Sequence, residues 1–224
     1  MASRWRALLL CALLLLPLRA GTQIQVPSDP RVPLGDLLEL VIEPRQVIVF
    51  GAEGGSISAD LELGEQVLWD GTQGAVAVVL TNRRVLAVAA ISASWQAMRY
   101  QRSERPANSA LLGDRVALIA TAKRAFGFDG GSGNLVEYSL GPKEALLAAR
   151  VGANVAVVVT DRSLLGLSPF VGGFFPTPFH VSEELEHISL TPNLATVTTN
   201  SRYLSFRSDS KIWTERRRTL ESQS

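Results

Sequence analysis

The sequence predicts an all-β fold assembled from five repeated units of four short strands. Three observations carry this reading. First, a hairpin recurs: Val155 to Leu167 (VAVVVTDRSLLGL) returns as Val76 to Val88, Val116 to Phe128 and Leu194 to Phe206. Each copy has an aliphatic strand, a polar turn opened by threonine and a second apolar strand, which is a hairpin signal. The turn threonines Thr81, Thr121, Thr160 and Thr199 are spaced by 40, 39 and 39 residues, and a worn copy at Leu38 to Phe50 places Glu43 38 residues before Thr81. Second, the agreement reaches beyond the hairpin. Ile57, Trp95, Leu135, Phe174 and Trp213 lie fourteen residues after the turn position, and Glu65, Glu104, Glu144, Glu183 and Glu221 lie twenty-two or twenty-three after it. Third, no stretch keeps a helical apolar period over ten or more residues.

Taken in order, each unit reads as a hairpin, a third strand and a fourth strand. In the third copy these are Val116–Thr121, Arg124–Phe128, Leu135–Leu140 and Ala145–Val151, with glycine and asparagine at the joins. Lys143 to Arg150 has helix-friendly composition, but its counterparts at Gln66 to Trp69 and Leu185 to Leu190 alternate or are β-branched, so it is read as strand. A period near 40 with four strands per unit marks a β-propeller. Five copies nearly exhaust the 204 residues after Ala20, and five blades lie within the usual range of about 4 to 8. A solenoid or an irregular sandwich is the alternative. On this phasing the hairpin strands Ala75–Leu80, Val116–Ala120, Val155–Val159 and Leu194–Thr198 line the channel. The fifth unit has a hairpin within Thr196 to Phe206 and a third strand at Ile212 to Arg218, with only Glu221 to Ser224 left for a fourth. Gln23 to Val26 is expected to supply that outer strand and close the ring.

These repeats resemble the broad class of propeller repeats that includes WD and quinoprotein-type units, over essentially all of residues 22–224. Trp69-Asp70 occurs once and is not repeated, and only the third copy, with Asp129, Gly133 and Tyr138, approaches the quinoprotein pattern. The resemblance implies the general shape and no cofactor site, and it reaches no close named family.

The first 20 residues read as a secretory signal peptide: Arg4 and Arg6, an apolar run from Ala7 to Leu18, then Arg19-Ala20 and a polar start at Gly21. The run of twelve residues is short of the roughly 20 that a spanning helix needs. The domain plan is thus a leader at 1–20 and one propeller domain at 21–224, exported to the periplasm or the exterior, with no transmembrane segment in the mature chain. An uncleaved anchor is the alternative. The single cysteine, Cys11, falls inside the leader, so the mature chain holds no disulfide. Net charge is +1, and loss of Arg4, Arg6 and Arg19 takes it to −2. Neither value suggests nucleic acid.

Two features are candidates for partner binding. Every hairpin turn carries a cation: Arg45; Arg83 and Arg84; Lys123 and Arg124; Arg162; Arg202. Equivalent turns in a ring share one face, so Arg83, Arg84, Arg124 and Arg202 are candidates for an acidic protein or an anionic glycan. Pairing with the repeated glutamates is the structural alternative, which leaves at most Arg83 and Arg84 free. The second feature is the run Ser168 to Phe179, which holds four of the eight phenylalanines. Phe174 occupies a repeated core position, whereas Phe170, Phe175 and Phe179 have no counterparts and are candidates for an apolar partner patch, with ordinary packing between blades, which bury both faces, as the favoured alternative. The loop Asp129 to Asn134 reads as a glycine-rich turn rather than a calcium site. His180 and His187 are the only histidines, so neither a metal site, nor a cofactor, nor a catalytic triad is indicated. The reading is a non-catalytic binding or scaffold propeller. The alternatives are a propeller enzyme such as a glycoside hydrolase, for which only Glu39 and Glu43 stand on the assigned inner strands, and a carbohydrate-binding lectin. The sequence indicates no oligomeric state.

Overall fold

The computed structural model describes residues 35–218. The leader, Gln23 to Val26 and Glu221 lie outside the described residues. Nineteen strands form five antiparallel sheets, and no helix occurs among the described residues. The first sheet has three strands, β1 (Leu38–Ile42), β2 (Gln46–Gly51) and β3 (Ser56–Asp60). The second has β4 (Val67–Gln73), β5 (Val76–Thr81), β6 (Arg84–Ala89) and β7 (Gln96–Arg99). The third has β8 (Leu111–Leu112), β9 (Val116–Ala120), β10 (Arg124–Asp129) and β11 (Asn134–Ser139). The fourth has β12 (Leu146–Val151), β13 (Ala156–Thr160), β14 (Ser163–Leu167) and β15 (Phe174–Pro178). The fifth has β16 (Leu185–Leu190), β17 (Leu194–Thr199), β18 (Arg202–Arg207) and β19 (Trp213–Arg217).

These are five propeller blades, and the expected strands are present, including the one over KEALLAAR. Their grouping differs from the expected one. The strand read as the last of each unit is the first of the next: Leu146–Val151 pairs with β13, not β11. Both groupings put four strands in one period, so only cross-strand pairing distinguishes them. Two expectations change with the phase. The first strands β4, β8, β12 and β16 approach one another from blade to blade, as the last strands β7, β11 and β15 do, and the recurrent hairpin supplies the two central strands of its blade rather than the edge strand that would line a channel. The last blade is also complete, and it is the first blade that shows no first strand among the described residues.

Each blade packs on the next through apolar clusters. The second and third blades share Val78, Leu80, Ile119 and Phe126, and the fourth and fifth share Val157, Leu164, Val197 and Phe206. In the three middle blades the two central strands are apolar on both faces and almost wholly buried. That is the pattern of a sheet covered on both sides. In the end blades burial alternates along β2, β17 and β18, so among the described residues each of these sheets is covered on one face. Among the described residues no apolar cluster joins the first blade to the last.

A second set of ties runs through the turn before each hairpin. Leu37 N–H donates to Gly74 O, Ala75 to Asp114 O, Arg115 to Ala153 O and Asn154 to Pro192 O, at 2.8, 2.8, 2.9 and 2.8 Å. Each blade is thus hydrogen-bonded to the next at the same point. Side chains extend the series: Arg115 donates to Asn154 Oδ1, and Asn154 Nδ2 to Asn193 Oδ1. At the start of the last strand of its blade the Trp95 indole N–H reaches Ile57 O at 3.1 Å, and that of Trp213 reaches Phe175 O at 2.8 Å, each in the preceding blade.

Candidate functional site

The threonine at each hairpin turn and the repeated glutamate belong to one local device. The glutamate precedes the first strand and lies beside the turn that joins the second and third strands of the same blade. Its Oε2 accepts the N–H of the residue three before it: Glu62 to Glu65, Gln101 to Glu104, Gly141 to Glu144 and His180 to Glu183, at 2.8, 2.9, 2.7 and 2.8 Å. Its Oε1 accepts the hydroxyl of Thr81, Thr121, Thr160 or Thr199. The threonine oxygen in turn accepts backbone N–H groups of the turn, as from Arg83 and Arg84.

An arginine completes three of these four cradles. Arg84 donates Nε to Glu65 Oε1 at 2.8 Å and Nη2 to Oε2 at 3.0 Å, and Arg202 binds Glu183 in the same two-pronged way at 2.6 and 2.7 Å. Arg124 clasps Glu104 likewise and also pairs with Glu137, as Arg202 does with Glu215. The side chains of Arg124 and Glu104 are 5% and 1% exposed, and those of Arg202 and Glu183 are 9% and 2% exposed. Burial by itself would raise the carboxyl pKa. The bonds from Arg202, from His180 N–H and from Ser201 outweigh it and hold Glu183 at about 2. Glu65 and Glu104 are also held below the ordinary value against the same desolvation, mainly by Arg84 and Arg124 respectively.

The basic turns are therefore largely consumed by the fold. Arg84, Arg124 and Arg202 pair within their own blades. Arg83, expected among the free cations, binds Glu62 Oε2 at 2.9 Å and Leu63 O at 2.8 Å with its side chain 40% exposed. Pairs at surface turns are ordinarily exposed and individually weak. Those of the third and fifth blades are buried, because the guanidinium lies between the first strand of its blade and the last strand of the preceding one. Lys123 reaches Ser103, whereas Arg45 and Arg162 make no ion pair among the described residues.

The phenylalanine run does not form one patch. Phe179 is buried between the fourth and fifth blades, and Phe175 stacks on Phe206 at 5.9 Å between centroids. Phe174 meets Tyr138 edge-on. Phe170 alone is exposed, on the loop after β14, at the opposite end of that strand from Arg162. Asp129 is buried and accepts Gly131 N–H, Ser132 N–H and the Ser132 hydroxyl. Burial raises its pKa despite those bonds. No group of three metal-ligating side chains is placed to hold an ion among the described residues. The first strands of the blades carry Asp70 and Glu186, and Glu186 pairs with Arg218.

The two outermost faces are the surfaces that inspection of residue types alone passed over. In the first blade Glu39, Val41, Ile48 and Phe50 share the uncovered face, with Val41 opposite Ile48 and Glu39 opposite Phe50. The equivalent positions elsewhere form the buried sets Ala77, Val79, Leu86, Val88 and Ala156, Val158, Leu165, Leu167. Here Val41 is 38% and Phe50 43% exposed. The uncovered face of the fifth blade is polar: Ser189, Thr196, Ser205 and Thr214 form one row across its four strands, and His187, Thr198, Tyr203 and Arg216 the next. The alternation in LATVTT and RYLSFR was the available signal.

No protein-family profile matches the sequence, and no curated protein matches it. Among solved structures the chain is similar to Prp20p of Saccharomyces cerevisiae, at TM-score 0.40 and 12% identity over 77% of this chain and 56% of that one. It is also similar to AztD of Citrobacter koseri, at 0.37 and 14% over 79% and 58%, and to the Pan2 WD40 domain of Neurospora crassa, at 0.32 and 11% over 80% and 61%. The chain spans somewhat over half the length of each. The propeller class stands without a close family, and it rests on strand order and burial.

Proposed function

We propose that the chain is a non-catalytic binding or scaffold propeller that works in the cell envelope or outside the cell, through a protein partner. The observation that carries this is the uncovered face of the first blade. Val41, Ile48 and Phe50 keep the residue classes that bury blade against blade elsewhere in the chain, yet Val41 and Phe50 are exposed, Ile48 is half-buried, and the three join no apolar cluster among the described residues. An apolar sheet face of this kind favours a polypeptide surface of similar character. The arginines offered by the sequence for an anionic glycan are mostly paired, which lowers the weight of that alternative. Export rests on the order of charged, apolar and polar residues before Gly21.

The test is affinity capture from envelope extract with the exported chain and with its Phe50→Glu variant. The expected result is a retained protein that the variant loses while its fold, followed by circular dichroism, is unchanged. Equal retention by both sinks the assignment of this face. Amino-terminal sequencing of the exported chain tests the leader: it should begin at Gly21, and a sequence from Met1 on membrane-held protein would overturn export.

A further inference from the structure

The fourth blade lacks the arginine that caps the glutamate in its siblings. The position of Arg84, Arg124 and Arg202 is occupied by Ser163. The rest of the cradle is intact: Gly141 N–H and the Thr160 hydroxyl bind Glu144 as their counterparts do. Without a guanidinium above it, Glu144 is half-buried, whereas Glu65, Glu104 and Glu183 are buried. We propose that Glu144 is a docking point for an arginine side chain of a partner polypeptide, which takes the place left by Ser163.

The three filled cradles show what this site accepts. In each, the arginine spans both carboxylate oxygens, and its Nη2 also donates to the carbonyl of the last residue of the preceding blade. These acceptors are Asp60, Arg99 and Pro178, at 2.6, 2.9 and 2.7 Å. The residue at that place before the fourth blade is Ser139, the last of β11. Ser139 and Glu144 line one groove, together with Leu140, Gly141 and Pro142. A carboxylate with a carbonyl beside it suits the planar fork of a guanidinium, which donates along two parallel bonds, better than the point charge of an ammonium.

The bordering cations are Lys123, Lys143 and Arg162. Arg162 is the internal competitor. Its guanidinium comes close to Gly141, but no ion pair joins it to Glu144 among the described residues. In the second blade the same position, Arg83, is held by Glu62. The fourth blade has Gly141 where Glu62 stands, so Arg162 has lost its own acid as well. This docking point stands apart from the first-blade face and does not depend on it.

The experiment is a titration of the isotope-labelled chain with N-acetyl-arginine amide, and in parallel with N-acetyl-lysine amide, followed by amide chemical shifts. The expected result is a saturable shift at Gly141 and Thr160. The arginine derivative should bind about fivefold or more tightly than the lysine derivative, as two-pronged recognition requires. Ser163→Arg installs the missing cap and should abolish the shift in a chain whose melting temperature is not lowered. Glu144→Gln should abolish it as well, and Arg162→Gln should tighten binding by removing the competitor. Phe50→Glu should leave the titration unchanged, so this site and the first-blade face fail separately. Three outcomes would overturn the proposal: no saturable shift in either the natural chain or Arg162→Gln, equal affinity for both derivatives, or binding that survives Ser163→Arg.

Discussion

The ring of Phe206 lies over the bare Cα of Gly166 in the neighbouring blade, so close that a Cβ on Gly166 would stand 2.5 Å from it. Gly127 relates to Leu167 one interface earlier in the same way, at 2.7 Å. A small residue on one blade face thus receives a large one from the next. Both large residues belong to packed sheets and have little room to withdraw. Gly166→Ala should therefore destabilise the chain by about 1–3 kcal/mol, the usual cost of overpacking. Gly35→Ala, where nothing lies within 4 Å of the added carbon, is the control. Urea denaturation checks both, and equal midpoints for the two variants would count against the close fit.

The arginines should separate by burial. Arg202→Gln removes the partner of a glutamate whose side chain is 2% exposed, and leaving such a charge unpaired costs about 3–5 kcal/mol. Arg124→Gln should behave alike. Arg83→Gln, at an exposed pair, should cost no more than about 1 kcal/mol. Replacing both Arg202 and Glu183 by methionine should recover part of the loss, because no uncompensated charge remains, while the His180 N–H and the Thr199 hydroxyl lose their acceptor. A double-mutant cycle by chemical denaturation measures the coupling.

The same glutamates set an acid limit. The folded pKa of Glu183 is about 2, against an ordinary 4.5, and those of Glu65 and Glu104 are lowered too. A depressed folded pKa means that the unfolded chain takes up the proton first as pH falls. The stabilisation is complete above about 4.5 and is lost progressively towards 2. Melting temperature should fall across that window. Glu183→Gln, already unable to ionise there, should show a shallower fall.

Trp213 ties the fifth blade to the fourth by its indole N–H and packs on Phe206 at 5.2 Å between centroids. Trp213→Phe keeps an aromatic ring and removes the donor, leaving Phe175 O without this partner. The expected loss is about 1–2 kcal/mol, one hydrogen bond with some packing. Tyr203→Phe, on the uncovered face of the same blade, should change stability by less than about 0.5 kcal/mol. Thermal denaturation of the two variants decides between an interblade tie and a surface ornament.

The sequence by itself determined the repeat, the strands and the hairpin turns. These depend on local chemistry: runs such as Val155 to Val159 must be buried, and a threonine with a cation two or three residues later marks each turn. It also placed an arginine and a glutamate in register, because both recur at a fixed distance from that turn. Tertiary structure decided what those residues face. A strand such as Leu146–Val151 lies equally near two hairpins along the chain, and only the ladder it joins assigns it to a blade. The burial of Arg124 and Arg202 depends on the neighbouring blade that closes over them, which no local pattern records. The vacancy above Glu144 follows from one serine at a repeated position. It has meaning only because three other cradles, brought into equivalent geometry by the fold, show the guanidinium that belongs there.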